Sequence, residues 1–122
     1  RMSLSTSVSA EDEEAVLGAL EDALRAGDAN EVRKLLSSRG SLNLASRVGG
    51  GGNTFLHLAC DHNALAPIVP YLVRCGAVVN EGNNAGATPL HRAVRKGHGA
   101  VATQLILLRA DLNLTNANGY LP

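Results

Sequence analysis

The segment G-A-T-P-L-H-R-A-V-R-K-G-H-G-A-V-A-T-Q-L-I-L-L-R-A-D-L-N, from Gly86 to Asn113, decides the fold of this chain. Thr88 can cap a helix through its hydroxyl group, and Pro89 suits the first helical position. Gly97 can end that helix with a positive φ angle, because it has no Cβ atom to clash. A second helix is predicted from Gly99 to Leu108. The segment should therefore form a helix, a tight turn and an antiparallel helix.

Similar segments recur along the chain at a nearly constant spacing, which is the signature of a repeat protein. The motif T-F-L-H-L-A begins at Thr54, 34 residues before T-P-L-H-R-A begins at Thr88. The run L-V-R-C-G-A-V-V-N begins at Leu72, 33 residues before the matching run that begins at Leu105. A more divergent copy precedes these two, and residues 116–122 look like the opening of a further copy.

In residues and spacing these segments resemble the ankyrin repeat over residues 20–122. The matching positions of the best copy are Gly86, Thr88-Pro89-Leu90-His91, Ala93, Gly97-His98, Leu105-Ile106 and Ala110-Asp111-Leu112-Asn113. The resemblance implies an all-α fold, an ankyrin-repeat solenoid of stacked helix-turn-helix units with hairpin-like loops. About three repeats are expected, with the start of a further one.

The expected organisation divides the chain into five segments. Because the sequence begins with Arg1 and stops within a repeat, we also expect it to be a fragment of a longer protein. The segments are a flexible N-terminus (1–8), a divergent N-terminal capping repeat (9–43), a second repeat preceded by a Gly-rich loop (44–80), a third, best-matching repeat (81–113) and the start of a truncated repeat (114–122).

The composition argues against several classes of function. Eleven Lys and Arg residues balance 11 Asp and Glu residues, so the formal net charge is zero, unlike that of a general nucleic-acid binder. One Phe, two Tyr and no Trp leave few rings for base stacking. Two cysteines are too few for a disulfide framework, and no apolar run approaches the roughly 18 residues of a membrane span. We expect an intracellular protein, cytoplasmic or alternatively nuclear, that binds neither nucleic acid nor membranes.

Three local features lead to further expectations. Leu90, Ala93 and Val94 are predicted to share the buried face of their helix. In the second repeat, Pro67 and Pro70 fall within the second helix, which should start at about Ala66 because proline is tolerated only in the first turn.

The loop R-V-G-G-G-G, from Arg47 to Gly52, carries three residues more than the equivalent loop of the third repeat. Four glycines lose much conformational entropy on ordering. One interpretation is a floppy insertion at a hairpin tip, and the other is a loop that lets a ligand backbone approach closely.

Leu107 and Leu108 align with outward-facing positions of the earlier copies. Two leucines there would enlarge an exposed apolar patch, which calls for an explanation. Either Leu108 is tucked under the next repeat, or the pair meets a partner, which includes a second copy of the chain.

The residues that could bind a metal or act in catalysis are four histidines and two cysteines: His57, His62, His91, His98, Cys60 and Cys75. Their spacing contains no C-x-x-C or H-x-x-x-H pair for tetrahedral zinc. The resemblance implies that His57 and His91 are structural residues that hydrogen-bond adjacent turns. Cys60 is expected at a small buried position, which disfavours a Cys60–histidine nucleophile. No metal, cofactor or catalytic group is expected, and the chain is predicted not to be an enzyme.

In ankyrin proteins the concave side, formed by hairpin tips and first helices, recognises other proteins. The resemblance therefore implies a non-enzymatic protein–protein interaction module that binds a partner protein of unknown identity. Mapped onto this sequence, the partner-binding positions are Arg25, Asn53, Asp61, His62, Asn84, Ala85, Ala87, Arg95, Lys96, Ala117, Asn118 and Tyr120.

Several alternatives remain open at this level. The module could self-associate through Leu107, Leu108 and its C-terminal apolar face, or position the substrate of a larger enzyme or channel. Arg95 and Lys96 either form a solvated helix end that suits the helix dipole or contact an acidic segment of a partner. Tyr120 is either a binding anchor, as tyrosine often is, or packs against a further repeat.

Overall fold

The computed structural model describes residues 10–37, 44 and 47–122, with side chains described from residue 14 onward. The predicted flexible stretch 1–8 and the end of the predicted capping repeat, 38–43, lie outside the described residues. Within them the chain forms helix pairs and one short hairpin. The elements are α1 (Ala10–Ala26), α2 (Ala29–Ser37), β1 (Arg47–Val48), β2 (Asn53–Thr54), α3 (Phe55–Ala59), a 3₁₀ helix (Asn63–Ile68), α4 (Val69–Arg74), α5 (Pro89–Lys96) and α6 (Gly99–Leu107).

Helix ends follow the local sequence closely. Thr54 and Thr88 cap α3 and α5, and each accepts a hydrogen bond from the backbone N–H three residues later. Gly97 ends α5 with φ +73°, as its position predicts. In the first pair, Asp28 accepts a hydrogen bond from the Glu31 N–H at 3.2 Å, which confirms the predicted start of α2.

The repeats stack because each helix pair has an apolar face that its neighbours cover. The first helices α1, α3 and α5 contact one another in order, and α6 packs on α4 and on the 3₁₀ helix. All five residues of α3 are buried, since it lies between α1 and α5. The core runs through all three pairs, and each large side chain buried there contributes about 1.5–3 kcal/mol of transfer free energy. Its largest members are Leu20, Leu24, Leu44, Phe55, Leu56, Leu58, Leu65, Ile68, Leu72, Leu90 and Leu105. A helix with the length and apolar character needed to cross a bilayer is not found within the described ranges.

The second helix of the middle repeat differs from its prediction. The α-helix begins at Val69 rather than at Ala66, and a 3₁₀ helix precedes it. The reason is Pro70, which has no N–H to donate and therefore has to lie in the first turn of an α-helix. Pro67 lies within the 3₁₀ helix instead. Leu65, Ile68 and Leu72 are nevertheless fully buried, as expected, and Tyr71 is half-buried.

The glycine-rich loop is a hairpin turn bound to the next hairpin, not the floppy insertion that was one expectation. β1 and β2 pair antiparallel, with Arg47 opposite Thr54. The Asn84 backbone N–H donates to the Gly51 carbonyl at 3.0 Å, and Asn84 Nδ2 donates to the Gly50 carbonyl at 3.0 Å. The backbone that approaches these glycines is therefore that of the neighbouring repeat.

The two leucines at the end of α6 lie in different environments. α6 ends at Leu107, one residue earlier than predicted, and the Leu107 side chain is 69% exposed. Leu108 is half-buried and packs against the core. Only Leu107 thus contributes to an exposed apolar surface, together with Ile106 and Leu112.

Candidate functional site

Two histidines bridge successive repeats from equivalent positions. His57 and His91 are the third residues of α3 and α5 and complete the capping boxes of these helices. His57 Nδ1 accepts from the Thr54 N–H at 3.1 Å, and His57 Nε2 donates to the Ala87 carbonyl at 2.8 Å. His91 repeats this pattern one repeat later, with its Nε2 2.9 Å from the Tyr120 carbonyl. Because a carbonyl oxygen only accepts, the proton lies on Nε2 and each ring is neutral.

Two further histidines bridge the repeats in the opposite direction. His98, between α5 and α6, donates from Nδ1 to the Cys60 carbonyl at 3.0 Å. His62 donates from Nε2 to the Arg25 carbonyl at 2.7 Å, which links the second repeat to α1. All four histidines therefore join neighbouring repeats, as the resemblance implied for His57 and His91.

Polar side chains of the second and third repeats form one network on the inner helices. Arg92 of α5 binds Asp61 with two hydrogen bonds, from Nε at 2.6 Å and from NH2 at 2.8 Å. Its NH1 donates to Asn53 Oδ1 at 3.1 Å, and the same oxygen accepts from Asn83 Nδ2 at 2.9 Å. Lys96 Nζ lies 3.6 Å from Asp61. A bidentate arginine–carboxylate pair is geometrically specific, so the network fixes α5 relative to the second repeat.

The network determines the charge states of its members. Partial burial alone would raise the pKa of Asp61, but the hydrogen bonds and charges of Arg92 and Lys96 outweigh it and hold the pKa below its usual value. The hydrogen bond to Asp61 raises the pKa of Arg92. Both groups are charged at neutral pH, and one carboxylate serves two cations.

A groove of about 490 Å³ lies beside α5, and we call it the α5 groove. Its volume falls within the range of about 300–1,000 Å³ that is usual for ligand sites. Every charged residue that lines it is basic, and two exposed apolar side chains, those of Val94 and Leu121, face it as well. The lining residues are Asn83, Ala87, His91, Arg92, Val94, Arg95, Lys96, Asn116, Leu121 and Pro122.

The structure brings only part of the predicted partner-binding set together. Ala87, Arg95 and Lys96 line the α5 groove. Asn53 and Asp61 join it through Arg92, but their polar atoms are already bound to neighbouring side chains.

The remaining predicted residues lie along the hairpins or at the first repeat. Asn84 is bound to the glycine-rich loop, and the Ala117 N–H donates to the Ala85 carbonyl at 2.7 Å. The Asn118 N–H donates to Asn116, while the Tyr120 ring is 68% exposed. Arg25 pairs with Glu21, and His62 lies beside it, so these two are separate from the α5 groove.

The sequence prediction missed four groove residues: Asn83, Arg92, Val94 and Leu121. A signal existed for Arg92, because positions 92, 95 and 96 have the i, i+3, i+4 spacing of one helix face. Val94 was predicted to be buried, and that prediction is wrong, since it is 49% exposed. Its counterpart 34 residues earlier, Cys60, is fully buried where α5 packs on α3, and within the described ranges no helix covers the other side of α5.

The described residues show no arrangement suited to catalysis by the cysteines or to metal binding. Cys60 is fully buried, and burial raises the pKa of its thiol, so a nucleophilic thiolate is disfavoured. No three His, Cys, Asp or Glu side chains come together as a metal site in the described part of the chain. The groups that remain available on the surface are those of a binding site.

We expect stability to fall on mild acidification because of His57. Burial, which outweighs the hydrogen bond to Ala87, lowers the pKa of His57 below its ordinary value of 6.5. The unfolded chain then binds a proton that the native protein does not. The free energy of unfolding is therefore full above 6.5 and decreases as the pH falls from 6.5 toward the lowered native pKa. Urea unfolding at a series of pH values measures this slope.

A second loss is expected in stronger acid from Asp61. Its contribution is complete above the ordinary pKa of 3.8 and is lost as the pH falls below that value. His57→Gln should flatten the profile only in the upper window, and Asp61→Asn only in the lower one. An unchanged upper slope in His57→Gln would assign it to another group.

Stacked, capped helix pairs that leave polar inner-helix surfaces open define a helical-repeat solenoid, a class whose extended surfaces serve binding. The chain belongs to the ankyrin-repeat family: the family model described as ankyrin repeats, in three copies, matches residues 20–116. Ankyrin repeats bind partner proteins and are generally non-catalytic.

Curated relatives share this region with several larger proteins. The chain is 37% identical over 101 residues to protein phosphatase 1 regulatory subunit 27 of Homo sapiens, covering 83% of this chain and 64% of the relative. It is 35% identical over 104 residues to palmitoyltransferase AKR1 of Kluyveromyces lactis, covering 80% and 13%. It is 37% identical over 67 residues to palmitoyltransferase ZDHHC17 of Homo sapiens, covering 54% and 10%. The chain therefore spans less than two thirds of each of these relatives.

Proposed function

We propose that this chain is a non-enzymatic module that binds a partner protein through its inner helices and hairpin tips, with the α5 groove at the centre of the contact. The observation that carries the proposal is the groove itself, where exposed cationic and apolar side chains meet in one concave site. Such a mixture is typical of interface centres, in which arginine and apolar anchors are enriched. The predicted residues Ala87, Arg95 and Lys96 lie in it, and Tyr120 is part of the hairpin beside it.

The relatives support this proposal at the level of their names. One is a regulatory subunit of a phosphatase, a role that requires binding to another protein. Two are palmitoyltransferases, of which this chain matches 13% and 10%. A domain that positions a substrate for a larger enzyme is consistent with these matches and uses the same binding surface.

The second candidate function is self-association through the C-terminal apolar face. Leu107 is 69% exposed, Leu112 is 51% exposed and Ile106 is 48% exposed, so this face would gain from being covered. Sedimentation velocity over a wide concentration range tests it. A single monomer species at every concentration would exclude this candidate.

We expect an alanine double variant of the groove, Arg95→Ala with Lys96→Ala, to lose capture of the partner protein from a cell lysate. Loss of two cationic contacts that point into the interface should weaken binding several-fold, because interface arginines are often energetic hot spots. The measurement is quantitative mass spectrometry of proteins retained by the immobilised chain.

The matched control is Arg33→Ala with Lys34→Ala on α2. These two exposed residues have the same side-chain types and are remote in sequence from the groove. Both double variants are first shown to melt like the wild type. A protein that is retained by the wild type and the control but not by the groove variant supports the proposal. Equal retention by both variants would move the binding site elsewhere.

A further inference from the structure

The α5 groove has an internal counterpart that is already occupied. Residues 94, 95 and 96 are the counterparts, 34 positions later, of Cys60, Asp61 and His62. In the second repeat α5 covers this surface: it packs on α3, and Cys60 is fully buried there. One repeat later the equivalent Val94 is 49% exposed and lines the α5 groove. The surface therefore has the shape that receives a helix.

The occupied counterpart also shows how charge is matched at this contact. Asp61 of the covered surface pairs with Arg92, the fourth residue of the helix that covers it. On the open surface the counterpart of Asp61 is Arg95, so the sign of the charge is reversed. A helix docked on α5 as α5 is docked on α3 would place its first turn beside Arg95.

The cations of the groove exceed the carboxylates that pair with them. Arg92 is bound to Asp61 by two hydrogen bonds, and Lys96 reaches the same carboxylate at 3.6 Å. Among the described residues Arg95 has no hydrogen-bond or ion-pair partner. Placement at a helix C-terminus, which favours cations by about 0.3–1 kcal/mol, accounts for the two basic residues but not for the exposed Val94 and Leu121 beside them.

From these observations we infer that the α5 groove receives an amphipathic helix of a partner protein, with an acidic residue in its first turn facing Arg95 and Lys96 and an apolar stripe covering Val94 and Leu121. This inference rests on the proposed function and specifies the chemistry of the partner. An acidic first turn is also the arrangement that a helix itself prefers, because it complements the dipole. Apolar residues at i, i+3 or i+4 would form the stripe.

The test begins with an unbiased selection. A phage-displayed library of random linear peptides is selected on the immobilised full chain, and enriched peptides are synthesised with a fluorescent label. Dissociation constants are then measured by fluorescence anisotropy for the wild type, for Arg95→Glu with Lys96→Glu, and for the control Arg33→Glu with Lys34→Glu. Circular dichroism reports whether the peptides become helical on binding.

The expected result is a set of peptides with an acidic residue one turn before apolar residues at helical spacing. Groove reversal should weaken their binding at least about tenfold, since two exposed attractions become repulsions, while the control leaves binding unchanged. Exchanging the peptide's acidic residue for arginine should restore binding to the groove variant, which a folding defect of that variant could not produce.

Other results would overturn the inference. Peptides without acidic residues that still depend on the groove would leave the proposed function standing and refute the acidic helix. Acidic peptides that lose affinity equally for the control reversal would show general attraction only. Failure to enrich any peptide would refute a linear helix, while the lysate capture decides the proposed function separately. Self-association that is abolished by Arg95→Glu with Lys96→Glu would make a second copy the occupant.

Discussion

Replacing His57 by alanine is expected to lower the free energy of unfolding by about 2–4 kcal/mol, more than any other single histidine in the chain. The ring is fully buried and makes two kinds of contact at once. Its Nδ1 accepts from the Thr54 N–H within the capping box of α3, and its Nε2 donates to the Ala87 carbonyl of the next repeat. Alanine would leave the Thr54 N–H and the Ala87 carbonyl without these partners and a cavity where the ring was. Urea unfolding near neutral pH measures the loss.

His91→Ala is the matched comparison, because His91 makes the same contacts one repeat later. Its carbonyl partner is that of Tyr120, whose own side chain is largely exposed, so water can replace the lost bond. The expected cost is smaller, roughly 1–2 kcal/mol, as for one lost hydrogen bond. His57→Gln should recover part of the stability, since the glutamine amide can donate to Ala87. Equal costs for His57→Ala and His91→Ala would show that position in the stack does not matter.

The second large effect is expected for Gly52→Ala in the glycine-rich hairpin, with a cost of about 2–3 kcal/mol. Gly52 has φ +72°, and a Cβ atom there would lie 2.2 Å from Asn84 Oδ1 and 3.1 Å from the Asn84 backbone nitrogen. The substitution therefore adds backbone strain and also pushes the neighbouring hairpin away. Displacing Asn84 would break its hydrogen bonds to Gly50 and Gly51.

Gly97→Ala separates the two contributions. Gly97 has nearly the same backbone conformation, φ +73°, but a Cβ atom there would meet nothing within 4 Å. This variant should show the backbone cost alone, about 1 kcal/mol. Thermal or urea unfolding of both variants gives the difference. If the two substitutions cost the same, the packing of the glycine-rich loop on Asn84 contributes nothing to stability.

The fold could be predicted because its determinants are local. The caps at Thr88 and Gly97 and the recurrence of T-x-L-H-x-A depend on residues a few positions apart, and their outcome matches the structure. The start of α4 was placed wrongly because two prolines competed for the first turn of one helix, and only Pro70 is in it. The sequence spacing alone does not decide between them.

The candidate site was predictable only in part, because it depends on contacts between repeats. The pairing of Arg92 with Asp61 joins residues 31 positions apart and satisfies the carboxylate that had been expected to face a partner. Val94 falls on an apolar helix face, but whether that face is buried depends on whether another helix covers it. Neither fact follows from the periodicity of one helix.

The histidine bridges have a consequence for how the domain opens. Between the second and third repeats the bridges run both ways, from His57 to Ala87 and from His98 to Cys60, and the Asp61–Arg92 pair lies beside them. Separating these repeats breaks all of these bonds together, so α3 and α5 should exchange their amide hydrogens as one cooperative unit. A ligand held against α5 would then slow exchange in α3 as well, although it touches only the third repeat.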